Sequence, residues 1–233
     1  MNNKMITLSI AVKTLAIISS IYGIIKVYGG PLTFTYFTTL SNIFISLILL
    51  VFLIKDIISY KSNKKIIYSD KLYIIKFLAT ISITLTFVVF LTILAPTMGG
   101  GIINAYLMNE AGSLFVHFIT PILAIIDFLL FNNEYKIETK YTIYSIIPPL
   151  IYVLFITIAS SLGLRWGNMA APYNFLNFKA PTGWFGFDPS LRSWETLGIG
   201  VFYMIVLLSI IFIIIGRIFL WLKKVITSKM ENN

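Results

Sequence analysis

The sequence predicts an all-α fold, a polytopic helical membrane protein of about six transmembrane helices with both termini in the cytoplasm. Three observations predict it. Of 233 residues, 58% are hydrophobic and only 12% charged, with a mean hydropathy of +0.90, whereas soluble domains are roughly half apolar and a quarter charged. The apolar residues form runs about as long as the ~20 residues that cross a bilayer core. Lys and Arg gather between those runs and at their ends, where headgroups and insertion topology account for them.

The spans read in order as Met5 to Tyr28, Tyr36 to Ser59, Lys71 to Ala95, Ala111 to Phe131, Tyr141 to Gly163 and Trp194 to Leu222. Together they make a single integral membrane domain over residues 1–233. Lys4 and the apolar stretch after it read as a retained first helix, because no small-x-small cleavage pattern follows Ile21, Tyr22 and Gly23. Pro31, Pro96 and Gly99 to Gly101 punctuate loops, while Pro121, Pro148 and Pro149 fall inside apolar runs and are expected to kink them.

Loop charge sets the orientation. The loop with Lys61, Lys64, Lys65 and Lys71 is strongly basic, as are Lys136, Lys140 and the tail with Lys223, Lys224 and Lys229. Gly29 to Thr35 and Pro96 to Glu110 carry no Lys or Arg. The termini are therefore assigned to the cytoplasm of a multi-pass protein of the cell membrane. The exception is the longest connection, residues 164–193, which carries Arg165, Lys179 and Arg192 but falls outside by the even count of helices. Its Trp166, Tyr173, Phe175, Phe178, Trp184, Phe185 and Phe187 suit the membrane interface. It reads either as a lid over a membrane-embedded cavity or as a plain interfacial anchor.

A net charge of +9 does not point to nucleic acid, since the cations sit at helix ends. The chain has no cysteine and one histidine, which excludes disulfides, thiolate metal sites and a multi-His metal centre. No cofactor is expected.

That histidine, His117, lies some six residues into the fourth span, about 9 Å below its start at 1.5 Å per residue. Ionisable residues at such depth usually face the bundle interior and serve function. Glu110, Ser113, Thr120 and Ala124 share its helix face, with Asp127 deeper and nearer the cytoplasmic end. The bland alternative is a histidine that bonds a neighbouring helix for packing. Asp127 reads equally as an inner-interface residue or the partner of a nearby lysine. Lys13 and Lys76 are expected to snorkel to the cytoplasmic headgroups. The second span opens Tyr36-Phe37-Thr38-Thr39-Leu40-Ser41-Asn42, placing Thr38, Ser41 and Asn42 near one helix face at a depth similar to His117. A hydroxyl nucleophile and an imidazole base need such a shared layer. Small polar residues also simply pack well in membrane helices. The G-x-S-x-G, H-E-x-x-H and G-x-x-x-x-G-K motifs are absent.

Three motifs in order, Tyr36 to Asn42, His117-Phe118-Ile119-Thr120-Pro121-Ile122-Leu123 with Asp127 following, and Pro172-Tyr173-Asn174-Phe175-Leu176 before Gly183-Trp184, resemble bacterial six-helix relatives of the androgen-induced membrane hydrolases. The resemblance spans nearly the whole chain. It implies a threonine hydrolase of fatty acid esters of hydroxy fatty acids, with Thr38 as nucleophile and His117 as base; Thr39 is the rival if the register slips. Bacterial relatives more usually have Pro-Tyr-Pro-Phe-Leu, where this chain has Asn174. The expected function is thus hydrolysis of lipid-like acyl esters, with membrane lipids and a lipid-like substrate as partners. Ser41 and Asn42 are expected as oxyanion donors, and Glu110 or the loop's Asp188 as the acid orienting His117. Tyr173, Asn174 and Trp184 belong to the lid. Rival functions are a small-solute or proton transporter with Thr38, Asn42, His117 and Asp127 along its path, and a non-catalytic membrane partner.

Overall fold

A computed structural model describes residues 3–62, 68–98, 100–132, 137–193 and 195–231. Among these residues, six helices are long and apolar enough to cross a membrane: α1 (Asn3–Val27), α2 (Phe37–Ser62), α3 (Asp70–Leu94), α4 (Gly112–Leu130), α5 (Thr139–Ser161) and α6 (Val201–Met230). The described structure is all-helical, with only isolated β-bridges outside the helices. Expected span edges hold within a few residues except at the sixth, whose expected start, Trp194, lies outside the described residues. Helix α6 instead begins at Val201 because the chain before it is extended. Phe187 bridges Ile199, and Gly198 takes φ +76 with a would-be Cβ 2.5 Å from the Asp188 carbonyl oxygen. Gly99, Lys64, Lys65 and Lys136 also lie outside the described residues.

Helix α3 is the central post. It has 61% of its apolar window buried, against 22% for α5. Its Ser and Thr residues allow close approach of neighbours and satisfy themselves on their own helix, Thr80 on the Lys76 carbonyl at 2.9 Å, Ser82 on Leu78 at 2.8 Å and Thr84 on Thr80 at 2.7 Å. Ser69 caps its first turn by accepting from the Leu72 N–H at 3.3 Å, which satisfies one N–H that the helix leaves open.

The prolines act differently from simple kinks. Pro148 and Pro149 fall in the first turn of an α-helical stretch, Ile147–Ser161, where a missing N–H costs nothing; the preceding Thr139–Ile146 is wound as a 3₁₀-helix. Pro121 has no N–H for the His117 carbonyl four residues back. The turn before it, Phe115–Ile119, is a π-turn closed by the Thr120 N–H on the Phe115 carbonyl. The same arrangement recurs in α3, where Phe90–Leu94 form a π-turn closed by the Ala95 N–H on Phe90, immediately before Pro96.

Toward the end of the bundle that carries both termini, four helices share a buried set of charges. Asp127 of α4 meets Lys13 of α1 at 2.7 Å and Lys76 of α3 at 2.6 Å. Lys13 also meets Asp56 of α2 at 2.8 Å. Asp56 accepts from Ser9 and Tyr68, both at 2.7 Å, and Lys76 donates to Asn132 at 3.0 Å. Lys13, Lys76 and Asp127 are each 0% exposed. The lysines therefore do not snorkel as expected, because a carboxylate inside the bundle is a nearer partner than the headgroups. Asp127 takes the lysine-paired alternative, and both of its oxygens are engaged by ammonium groups. Lys223 of α6 ties in a further helix by donating to the Phe128 and Phe131 carbonyls at 2.5 and 3.0 Å, the favoured place for a cation at a helix C-terminus.

Between this charged layer and the polar groups nearer the other end lies an apolar layer of Ala16, Ile45, Leu49, Ala79, Ile83 and Ala124, all buried. Each position falls on its helix between a charged residue and a hydroxyl or amide: Ile45 and Leu49 between Asn42 and Asp56, Ala124 between Thr120 and Asp127.

Removing one member of a buried ion pair leaves its partner's charge uncompensated, at a cost of about 3–5 kcal/mol. Asp127→Leu is expected to lower stability by that much. Adding Lys76→Met should recover most of it, because the Lys13–Asp56 pair is then left whole. Unfolding in detergent followed by circular dichroism checks both.

Candidate functional site

Thr38 is the second residue of α2, and the chain leading to it is pinned from two directions. The Trp166 indole N–H donates to the Thr35 hydroxyl at 2.8 Å, and the Tyr152 hydroxyl donates to the Thr35 carbonyl at 3.1 Å. Thr38 then faces an apolar cavity. Leu85, Thr86, Val89 and Leu94 of α3, Leu150 and Val153 of α5, and Ile205 and Leu208 of α6 line it, with Tyr173, Phe175 and Leu176 from the long loop. Thr39 is buried and not part of that wall, so of the two rival hydroxyls Thr38 is the one presented to the cavity.

Over Thr38 sits Tyr173. Its phenol oxygen accepts from the Thr38 N–H at 3.3 Å and lies 3.4 Å from the Thr38 hydroxyl. That N–H belongs to the first turn of α2, which has no intrahelical acceptor and carries the positive end of the helix dipole. Burial pushes the Tyr173 phenol up to about 12, so it remains a neutral hydroxyl able to donate as well as accept. The loop thus reaches into the cavity through the Pro172-Tyr173-Asn174-Phe175-Leu176 motif. Asn174 begins a 3₁₀ turn, Asn174–Leu176, and its Oδ1 is buried without a hydrogen-bond partner. Trp184 is not on the cavity wall and stacks on Phe178 at 5.3 Å, stiffening the loop behind it.

His117 is the third residue of the π-turn in α4. Its ring meets the face or edge of Phe90 at 3.7 Å between centroids and 86° between planes, and its buried Nδ1 has no hydrogen-bond partner. It does not line the cavity and makes no hydrogen bond to Thr38, whose hydroxyl partner is Tyr173.

Asn42 nevertheless joins the two. Because Thr120 bonds Phe115 and Pro121 has no N–H, the Val116 carbonyl is left without a donor from its own helix. The Asn42 amide supplies one at 3.0 Å, and the same nitrogen donates to the Thr38 carbonyl at 2.8 Å. One side chain therefore holds the backbone of Thr38 and the peptide next to His117 around a single atom. The two segments are neighbours even though their side chains point apart.

Three expectations for supporting residues change. Asn42 is committed to carbonyls and is not an oxyanion donor. Ser41 is likewise engaged, donating to the Thr38 carbonyl at 3.0 Å and paired with Thr86 at 2.8 Å; on the cavity wall the Thr38 N–H and the Tyr173 hydroxyl are bonded to each other. Glu110 is exposed and paired with Lys26, and Asp188 accepts from the Ser190 N–H at 3.0 Å and the Ser190 hydroxyl at 2.6 Å, so neither acid orients His117. Asp127 lies beyond the apolar layer. Thr35, Phe90 and Tyr152 were not singled out from sequence. Phe90 had a signal, since Phe90 and Phe115 each stand six residues before a proline that ends a π-turn.

No protein-family model, curated protein or solved structure matches the chain.

Helix α1 crosses the π-turn at Gly23, where an added Cβ would lie 2.7 Å from Val116 Cγ1 and 2.9 Å from Phe115 Cβ. Gly23→Ala is expected to overpack this contact and cost about 1–3 kcal/mol, read as a lowered thermal midpoint. The same change at Gly29, which has open space around it, should leave the midpoint within experimental error.

Proposed function

We propose that the chain is an intramembrane hydrolase of lipid-like acyl esters, with Thr38 as nucleophile and His117 as base. The observation that carries this reading is the Asn42 clamp, which brings the Thr38 turn, set on an apolar cavity, against the peptide bearing the lone imidazole. The substrate's acyl chain occupies the cavity among Leu85, Val89, Leu150 and Leu208, where burial of methylene groups contributes about 0.8 kcal/mol each. Its ester carbonyl lies at the start of α2.

In the proposed reaction, the Thr38 hydroxyl oxygen attacks the carbonyl carbon while its proton passes to the His117 ring nitrogen. The oxyanion forms beside the Thr38 N–H and the Tyr173 hydroxyl, which act strongly in a site shielded from water. Cleavage of the ester C–O bond releases the alcohol, which takes the proton from the imidazolium. Water, deprotonated by the same ring, then cleaves the acyl-threonine to a carboxylic acid and restores Thr38. The likeness of the three motifs to the androgen-induced hydrolases supports the same pair. The charge of the loops supports cytoplasmic termini, a cell-membrane location and a site in the outer leaflet.

A transport path is less well supported. It would have to pass Ala16, Ile45, Leu49, Ala79, Ile83 and Ala124, where the hydroxyls of Thr80, Ser82 and Thr84 are bonded to carbonyls of their own helix, to reach a set of charges already paired with one another.

A lipid-like serine/threonine hydrolase probe should label the native protein in detergent and fail to label Thr38→Ala or His117→Ala, while Thr39→Ala still labels. Labelling lost only with Thr39→Ala would move the nucleophile by one residue, and folded protein that never labels would refute the hydrolase. Tyr173→Phe removes one oxyanion donor and is expected to slow labelling about 10²-fold.

A further inference from the structure

The geometry points to Asn42 as the positioning residue of His117, a role that rests on the hydrolase reading and goes beyond it. A catalytic imidazole needs an acceptor on one nitrogen to fix which tautomer the other presents. Glu110 and Asp188 are engaged elsewhere, and Asp127 lies on the other side of the apolar layer. The orienting group must therefore be neutral and already close.

Asn42 fits on three grounds. Its amide orientation is fixed by chemistry, since only the nitrogen can donate to both the Thr38 and Val116 carbonyls; the oxygen must face the other way. That oxygen is buried in a residue 0% exposed and has no hydrogen-bond partner. A second unpartnered buried atom, Nδ1 of His117, stands on the residue next to the carbonyl that Asn42 holds at 3.0 Å. An amide oxygen can only accept, and an imidazole nitrogen donates when it carries the proton, so the two unpartnered atoms on adjoining groups are complementary in the Nδ1–H tautomer.

The imidazole rests instead against the ring of Phe90, at 3.7 Å between centroids. Phe90 opens the π-turn of α3, and Val89, just before that turn, and Leu94, its last residue, line the cavity. An acyl chain in the cavity thus presses on the segment that carries Phe90. When the imidazole turns off Phe90, its Nδ1–H donates to Asn42 Oδ1, and Nε2 is left as the base for the Thr38 hydroxyl. Asn42 then serves both catalytic groups, its nitrogen holding their backbones and its oxygen setting the tautomer.

With a single histidine in the chain, selective ¹⁵N-histidine labelling and long-range ¹H–¹⁵N correlation in detergent micelles read the tautomer of His117 directly. Phe90→Leu, which leaves Asn42 untouched, is expected to release the ring and give the Nδ1–H tautomer. In that background Asn42→Asp, which keeps the acceptor, should retain it, and Asn42→Leu should shift the ring to Nε2–H. Asn42→Leu should also cut Thr38 labelling by about 10–100-fold, with Asn42→Asp restoring part of it. An Nε2–H ring in Phe90→Leu overturns the inference, as does a tautomer indifferent to Asn42→Leu in folded protein. The tautomer does not depend on turnover: the expected pattern without any Thr38 labelling would refute the hydrolase and leave the hydrogen bond standing, whereas labelling with an indifferent tautomer would refute the hydrogen bond alone.

Discussion

A carboxylate buried among apolar helices has no water to fall back on, and Asp127 is the point where this chain meets that constraint. Two ammonium groups from two other helices answer it, one of which also answers Asp56 on a third. Dispersion alone lets apolar helices slide and rotate against one another, since lipid tails are as apolar as Leu. A charge set of this kind does not, because any displacement leaves an ion unpaired. The mutual register of α1 to α4 follows from it, and the shared depth of the Thr38 and His117 segments follows from that register.

Proline supplies the second layer of specification. Pro121 withholds one N–H, the turn before it widens, and the Val116 carbonyl looks outside its helix for a donor. Asn42 fills that need, so a defect in one helix becomes a bond to another. Pro96 follows the same rule in α3 and sets Phe90 opposite His117. The π-turn is uncommon in general and recurs at functional sites; here both examples bracket the imidazole.

Helix number and approximate span edges were legible because bilayer thickness imposes a length on apolar runs. The shared depth of the Thr38 and His117 segments was also legible from their offsets into the spans. What the pattern did not disclose was rotation. Thr38 and Asn42 are four residues apart and read as one polar face, yet the first looks into the cavity while the second is tied to Val116. The lysines were misjudged for a related reason: Lys13 and Lys76 each have a stem long enough to reach the headgroups, and only the packing of α4 reveals a carboxylate at closer range. Nor does sequence show that Thr35 is held by Trp166 and Tyr152 across more than a hundred residues.

The apolar layer of Ile45, Leu49, Ala79, Ile83 and Ala124 has a consequence for the cell as well as for the fold. A membrane at 100 mV exerts about 2.3 kcal/mol on every elementary charge that crosses it, and a continuous wire of hydroxyls and carboxylates would drain that store. These apolar side chains part the charged stratum from the amide and hydroxyl groups of α2 and α4, and the α3 hydroxyls at the same depth, Thr80, Ser82 and Thr84, are each spent on a carbonyl of their own helix, so a charge has no free side chain to step onto there.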